Sequence, residues 1–102
     1  MWTFDASSAL LPVAVLASIN ASPTHGYGIR KHLSETGFGE FKGGTIYPLL
    51  RRMEEAELIT AQWDIPERGA TKKIYRITKE GSLVLQTELE KIELLFGTIK
   101  NF

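Results

Sequence analysis

The chain has no cysteine, which excludes disulfides and thiolate metal sites and suits a reducing cytoplasm. Its two histidines, His25 and His32, stand on one presumed helix with no HExxH pattern, phosphate-binding glycine loop or nucleophile motif in the chain. Catalysis therefore has no visible seat, and no enzyme activity, cofactor or metal is expected. The longest apolar run, Ala9 to Ala17, contains Pro12 and is far too short to cross a bilayer. Met1 to Ala9 carries an aspartate and no basic residue, so it does not read as a signal peptide. Net charge is lacking too, at a formal +0, which argues against indiscriminate polyanion binding.

What charge there is lies segregated along the chain. From Lys42 to Arg52 there are three cations (Lys42, Arg51, Arg52) and no acid; from Arg68 to Arg76 there are four (Arg68, Lys72, Lys73, Arg76) and again no acid. Together the two windows hold more than half of the 12 Lys and Arg residues. If folding brings them side by side, the surface they form is strongly basic. At 102 residues and 43% hydrophobic content the chain reads as one ordinary globular unit. A chain this short buries only about 60 to 65% of its unfolded surface, so a helix its core cannot cover will seek a second subunit.

The helical signals come first. From Ser8 to Ile19 the near-continuous apolar residues predict a helix buried on most sides, consolidating near Leu11 because Pro12 fits only the first turn. Trp2 and Phe4 ahead of it are either a mobile end or pack onto a surface made elsewhere. Asn20 to Pro23 ends that helix; Thr24 is expected to cap the next one, with Ile29 and Leu33 inward and Gly37 closing it. Gly26 and Gly28 cost that helix roughly 1 kcal/mol each against alanine. Such glycines predict a close approach to the backbone, most simply by a neighbouring helix. In GGTIYPLLRRMEEAELI, Gly43 to Ile59, the apolar Ile46, Leu49, Leu50 and Met53 recur at helical spacing, leaving a polar face of Thr45, Tyr47, Pro48, Arg51 and Arg52.

After Leu58 the period changes to two. Ile59, Ala61, Trp63 and Ile65 alternate with polar residues, predicting a strand with one covered face and Trp63 in the core. PERGAT interrupts it, and TKKIYRIT resumes as the second arm of a hairpin with a basic tip. From Thr78 as N-cap to about Lys100 the chain is helical again, and Leu85, Leu89, Ile92, Phe96 and Ile99 fall at the spacing of a coiled-coil seam. Such a helix runs roughly 30 Å, too far for this core to cover. The expected organisation is mainly α with a small β-hairpin: a winged helix-turn-helix with its N-terminal helix over residues 1–78, and a dimerisation helix over 79–102.

Three segments carry a resemblance. HGYGIRKHL, GTIYPLLRRMEEAELI and KKIYRITKEG, spaced as they are here, closely resemble the PadR family of bacterial transcriptional regulators. The likeness runs from about Leu10 to Gly81, and its specific part is G-T-x-Y-P-x-L-x-R-x-E-E followed by the K-x-Y-x-x-T hairpin. The single helix after the wing is similar to the short subfamily, whose dimers pair through that helix and the N-terminal one. The resemblance implies a homodimeric repressor on a pseudo-palindromic DNA operator, released by a small aromatic or hydrophobic effector. It also implies that Thr45, Tyr47 and Pro48 belong to the recognition-helix signature, Tyr27 to the second helix, and Arg68, Lys72 and Lys73 to a basic wing. Where some short members carry a tryptophan in the dimer helix, this chain has Ile92 and Phe96.

Each role has a plainer alternative. Thr45 offers its hydroxyl and backbone N–H to a phosphate, or merely caps its helix. Tyr47 touches DNA or packs in the core. Arg51 or Arg52 reaches a guanine edge, or one of them pairs with Glu55 on the surface. Lys42 adds to the same basic window. Arg68, Lys72 and Lys73 neutralise phosphates, or form a solvated hairpin tip. Trp2, Phe4, Ile92 and Phe96 are the candidate effector contacts. A different class of function, a winged helix that docks an acidic protein without reading DNA sequence, has the same charge pattern.

Overall fold

A computed structural model describes residues 1–102. Its elements run α1 (Ala6–Ala9), α2 (Leu11–Ala21), α3 (Gly26–Glu35), α4 (Gly43–Glu55), β1 (Ile59–Asp64), β2 (Lys72–Ile77) and α5 (Lys79–Lys100). The mainly helical winged helix-turn-helix expected from the sequence is the fold. Pro12 sits in the first turn of α2, as its missing N–H requires. The short turn α1 was not anticipated; the Asp5 carboxylate caps it by accepting the Ser8 N–H at 3.2 Å.

Two caps differ from expectation or refine it. His25 rather than Thr24 caps α3, its Nδ1 accepting the Gly28 N–H at 3.0 Å. Thr24 is occupied elsewhere: its backbone exchanges hydrogen bonds with Tyr75 of β2, at 3.3 and 2.8 Å, adding a one-residue third bridge to the hairpin. At the other end of α3, Gly37 takes φ 79°, and the Phe38 N–H reaches back to the Leu33 carbonyl at 3.0 Å. That is a glycine-closed helix end, and it turns the chain toward α4. The end of α4 uses the same closure with Glu57 at φ 61°, Leu58 N–H returning to the Met53 carbonyl at 3.0 Å.

The core gathers one stripe from each element: Val15, Leu16 and Ile19 of α2, Ile29 and Leu33 of α3, Ile46, Leu50 and Met53 of α4, Ile59 and Tyr75 of the hairpin, and Leu85 of α5. Only 16 of the 102 residues are buried, so the core is small for the chain it must hold. The strands pair antiparallel with Ile59 opposite Ile77 and Asp64 opposite Lys72. Thr78 locks the hairpin to α5: its hydroxyl donates to the Glu57 carbonyl at 2.7 Å and accepts the Gly81 N–H at 2.9 Å. A Cβ on Gly81 would overlap the Leu58 carbonyl oxygen, so only glycine lets α5 start this close to the hairpin.

Beyond its first two turns α5 leaves the body of the molecule. The radius of gyration is 15.1 Å, against about 13 Å for a compact chain of this length, and the long axis of 57 Å accounts for the excess.

Candidate nucleic-acid interface

Helix α4 presents its outer face because its inner face is saturated. Ile46, Leu49, Leu50 and Met53 are buried, and at 3.6 residues per turn the opposite side is Thr45, Pro48, Arg51 and Arg52, all exposed. Lys42 is the N-cap, and no side chain caps the helix, so the amides of Gly43 and Gly44 are free for solvent or an anion. The Thr45 N–H is not: it already donates to the Lys42 carbonyl at 2.9 Å, which leaves only the Thr45 hydroxyl for an outside partner. Pro48 lies inside the helix and cannot donate to the Gly44 carbonyl, so that oxygen lacks its usual intrahelical donor.

Tyr47 stands at the edge of this face, 45% exposed. The close approach that Gly26 predicted is Tyr47 itself: a Cβ on Gly26 would lie 2.7 Å from the Tyr47 Cζ and 2.8 Å from its hydroxyl oxygen. Gly43 gives way on another side, where a Cβ would come within 3.2 Å of the ring. Gly28 makes room for Thr24 instead, since a Cβ there would collide with the Thr24 hydroxyl. Tyr27, 62% exposed, follows at the start of α3, its ring stacked 6.2 Å from the His25 imidazole. Between these rings and the wing runs an open groove of about 420 Å³, with Tyr75, Trp63, Lys72 and Lys73 on its wing side.

The wing departs from the sequence reading at its outer half. Ile59 is buried, but exposure rises along the same face to 61% at Trp63 and 76% at Ile65. The strand outruns the helices that cover it, so Trp63 is a rim residue of the groove and not core. Tyr75, two positions nearer the body, is 5% exposed, and burial pushes its phenol above the ordinary 10.0.

The cations divide into two kinds. Lys42, Arg51, Arg52, Arg68 and Lys72 are exposed and have no carboxylate within salt-bridge distance, so Glu55 leaves both arginines of α4 free. Lys73 is different. Its Nζ is 3.0 Å from Glu54 Oε1 in the last turns of α4, and it sits 6.0 and 5.8 Å from the ring centres of Trp63 and Tyr75. Arg30 is also committed, donating from Nε to the Phe41 carbonyl at 2.8 Å and pinning the loop that leads into α4.

Of the seam residues on α5, Leu85 is 6% exposed and belongs to the chain's own core, because α5 still lies against α2 at that point. Leu89, Phe96 and Ile99 are 48, 63 and 63% exposed, and Ile92 is half-buried. Leu95 and Phe102 extend the same stripe, at 54 and 97% exposure. Their spacing of three and four from Ile92 and Ile99 was readable in the sequence. Trp2 and Phe4, 83 and 78% exposed, touch each other at 4.7 Å between ring centres and are covered by nothing else in the protomer. No three His, Asp or Glu side chains converge to hold a metal, and no helix is long and apolar enough to cross a membrane.

Comparison with known proteins bears on what this arrangement serves. Residues 15–87 match the Transcriptional regulator PadR-like family. No protein of curated function matches the chain. Among solved structures, a PadR family transcriptional regulator from Eggerthella lenta is similar at 29% identity and TM-score 0.88, over 95% of this chain and 84% of that one. A PadR-like transcriptional regulator from Bacillus cereus is similar at 29% identity and TM-score 0.81, over 92% of this chain and 91% of the other. One from Clostridium difficile, a PadR family transcription regulator, is similar at 26% identity and TM-score 0.82, over 91% and 97%. With the outer face of α4 cationic, a basic wing beside it and a family match spanning both, the chain belongs to the PadR family of transcriptional regulators, and its fold is that of a DNA-binding regulator.

Proposed function

We propose that the protein is a sequence-specific repressor that binds a pseudo-palindromic operator as a homodimer. The observation that carries this reading is the side-by-side placement of α4 and the wing, with Lys42, Arg51, Arg52, Arg68 and Lys72 among the cations left unpaired on them. In the major groove, Arg51 or Arg52 pairs with a guanine edge in this reading, worth about 1 to 3 kcal/mol of discrimination. Thr45, Tyr47, Pro48 and Tyr27 line the same approach, while Lys42, Arg68 and Lys72 neutralise phosphates without reading sequence. Lys73 is placed in that basic wing by position in the chain; its ion pair gives it a further role.

The dimer is supported by the apolar stripe of α5, Leu89, Ile92, Phe96 and Ile99 with Leu95 and the following Phe102, all exposed in the protomer except the half-buried Ile92. A chain with 16 buried residues has little stability to spare, and a second copy of α5 is the self-complementary cover that a two-fold interface supplies. Residues 1–78 then act as the reading head and 79–102 as the dimerisation helix. Trp2 and Phe4, with Ile92 and Phe96, are the apolar residues through which a small hydrophobic effector would act.

The test is sequence dependence. Duplexes selected from a random pool should bind tightly and share an inverted repeat, and scrambled versions should bind at least about a thousandfold more weakly at physiological salt. Equal affinity for both would instead favour a winged helix that docks an acidic protein partner. Effector sensing is tested by titrating flavins, phenolic acids and hydrophobic cations against the fluorescence of a Trp63→Phe variant, which leaves Trp2 as the only indole. Silence across that panel would point to a regulator without a ligand.

A further inference from the structure

Lys73 lies in the basic window of the wing and on the open groove, yet its ammonium is turned to α4. Its ammonium is 3.0 Å from Glu54 of α4 and lies over the rings of Trp63 and Tyr75 at 6.0 and 5.8 Å. Both partners of the ion pair keep 35% side-chain exposure, so the contact is half-buried, whereas the lysines of the pairs Lys31–Glu35 and Lys91–Glu88, within single helices, are 59 and 57% exposed. Its place in the wing is the informative point. Ile59, Tyr75 and Ile77 hold the base of the hairpin to the body, but every residue from Gln62 to Lys72 is exposed. Lys73 is the cross-strand partner of Trp63, at the border between the held and the free part. It is the outermost polar tie from the wing to any helix. On α4, Glu54 is seven positions from Tyr47, two turns along the same edge of the helix. The tie therefore grips the edge that also carries the groove-facing tyrosine.

We propose that Lys73 and Glu54 are a positioning pair: Lys73 fixes the angle and distance of the wing against the recognition helix, and does not contact a phosphate. This rests on the DNA-binding reading above for its functional consequence, though not for its structural one. Two elements that must reach DNA together bind best when their separation is set beforehand, because the ordering cost is then met before binding. A free wing has to be ordered by the DNA itself.

The experiment compares Lys73→Met, Glu54→Gln, Lys72→Ala and the exchange Lys73→Glu with Glu54→Lys. The first readout uses no DNA: amide hydrogen exchange in the hairpin. Lys73→Met and Glu54→Gln should each speed exchange across residues 61–64 and 72–75 severalfold while Leu49 and Leu50 stay protected, and the exchanged pair should recover much of the loss. Unchanged hairpin exchange in both single variants overturns the proposal.

The second readout is affinity for the selected operator against salt. Neutralising one phosphate contributes about 0.9 to the slope of log K against log salt, so Lys72→Ala should lower the slope by that amount. Lys73→Met should weaken binding severalfold with the slope unchanged. Glu54→Gln should also weaken it, although deleting a carboxylate beside a polyanion would otherwise tighten binding. A slope reduced by about 0.9 in Lys73→Met, or tighter binding by Glu54→Gln, identifies Lys73 as a phosphate contact and overturns the proposal. If the wild-type chain shows no operator preference, the DNA-binding reading fails, and hydrogen exchange still decides the positioning pair.

Discussion

Replacing Gly26 by alanine is the most informative single change, because it acts on DNA binding through a residue that does not itself face DNA. The added Cβ would lie 2.7 and 2.8 Å from Cζ and the hydroxyl oxygen of Tyr47, where carbon atoms rest comfortably at about 3.5 to 4.0 Å. The ring must retreat by about 1 Å, and Gly43 leaves it little room on a second side. Its way out is toward the groove, where it is already 45% exposed. Helix propensity favours alanine by up to about 1 kcal/mol, against an off-rotamer tyrosine at about 0.5 to 1.5 kcal/mol. Net stability should therefore move by less than about 1 kcal/mol, while operator affinity falls about tenfold per half-site, or ~1.4 kcal/mol. The assay is fluorescence anisotropy on the selected operator, with thermal melting in parallel, for Gly26→Ala, Tyr47→Ala and the double variant. In the Tyr47→Ala background the Gly26 substitution should cost almost nothing, since the clash has gone. Additive losses in the double variant, or full affinity in Gly26→Ala, would refute the claim that Gly26 exists to seat Tyr47 for DNA.

Three further outcomes follow from the same geometry. Gly81→Ala places a Cβ against the Leu58 carbonyl oxygen, a backbone atom that cannot rotate aside; overpacking at about 1 to 3 kcal/mol should lower the melting temperature by several degrees, and an unchanged melt would mean that α5 can shift freely. Phe96→Asp puts a charge in the exposed stripe of α5, so sedimentation at micromolar concentration should find monomer or unfolded chain, and the melting temperature should lose its concentration dependence; a dimer as tight as wild type would exclude this stripe from the interface. Because burial raises the Tyr75 phenol above 10.0, the folded chain holds that proton more tightly than the unfolded one: the stability it contributes is complete below about pH 10 and is lost as pH rises through the raised value. Urea midpoints should accordingly fall above pH 10, and Tyr75→Phe should flatten the fall; an equally steep fall in that variant would assign it to other groups.

The order of helices and strands was legible because each segment has one dominant period, 3.6 or 2, and strong punctuation in Pro12, Pro23, Gly37 and Gly69. Glycine at 26 announced a close approach without naming the partner, since the partner is 21 positions away and reaches it only when α3 and α4 cross. Trp63 misled for a related reason: alternation tells which face of a strand is turned inward, but not where the covering layer ends. Thr24 is a good cap by type, yet a backbone bridge to Tyr75 claimed it and left the cap to His25.

The sequence by itself determined the winged helix-turn-helix, the basic windows and the apolar spacing of α5, because these depend on neighbours within about two turns or one strand. Only the tertiary structure decided which cations are free. Lys72 and Lys73 are adjacent in the chain, chemically identical and both on the groove, but strand alternation leaves Lys72 exposed and unpaired and turns the Lys73 ammonium to Glu54. Ion pairing is a property of distance in three dimensions, and the 19 positions between Glu54 and Lys73 carry no local signal of it. The same holds for Leu85, which shares the seam spacing of Leu89 and Ile92 but is claimed by its own core, because α2 covers only the first turns of α5.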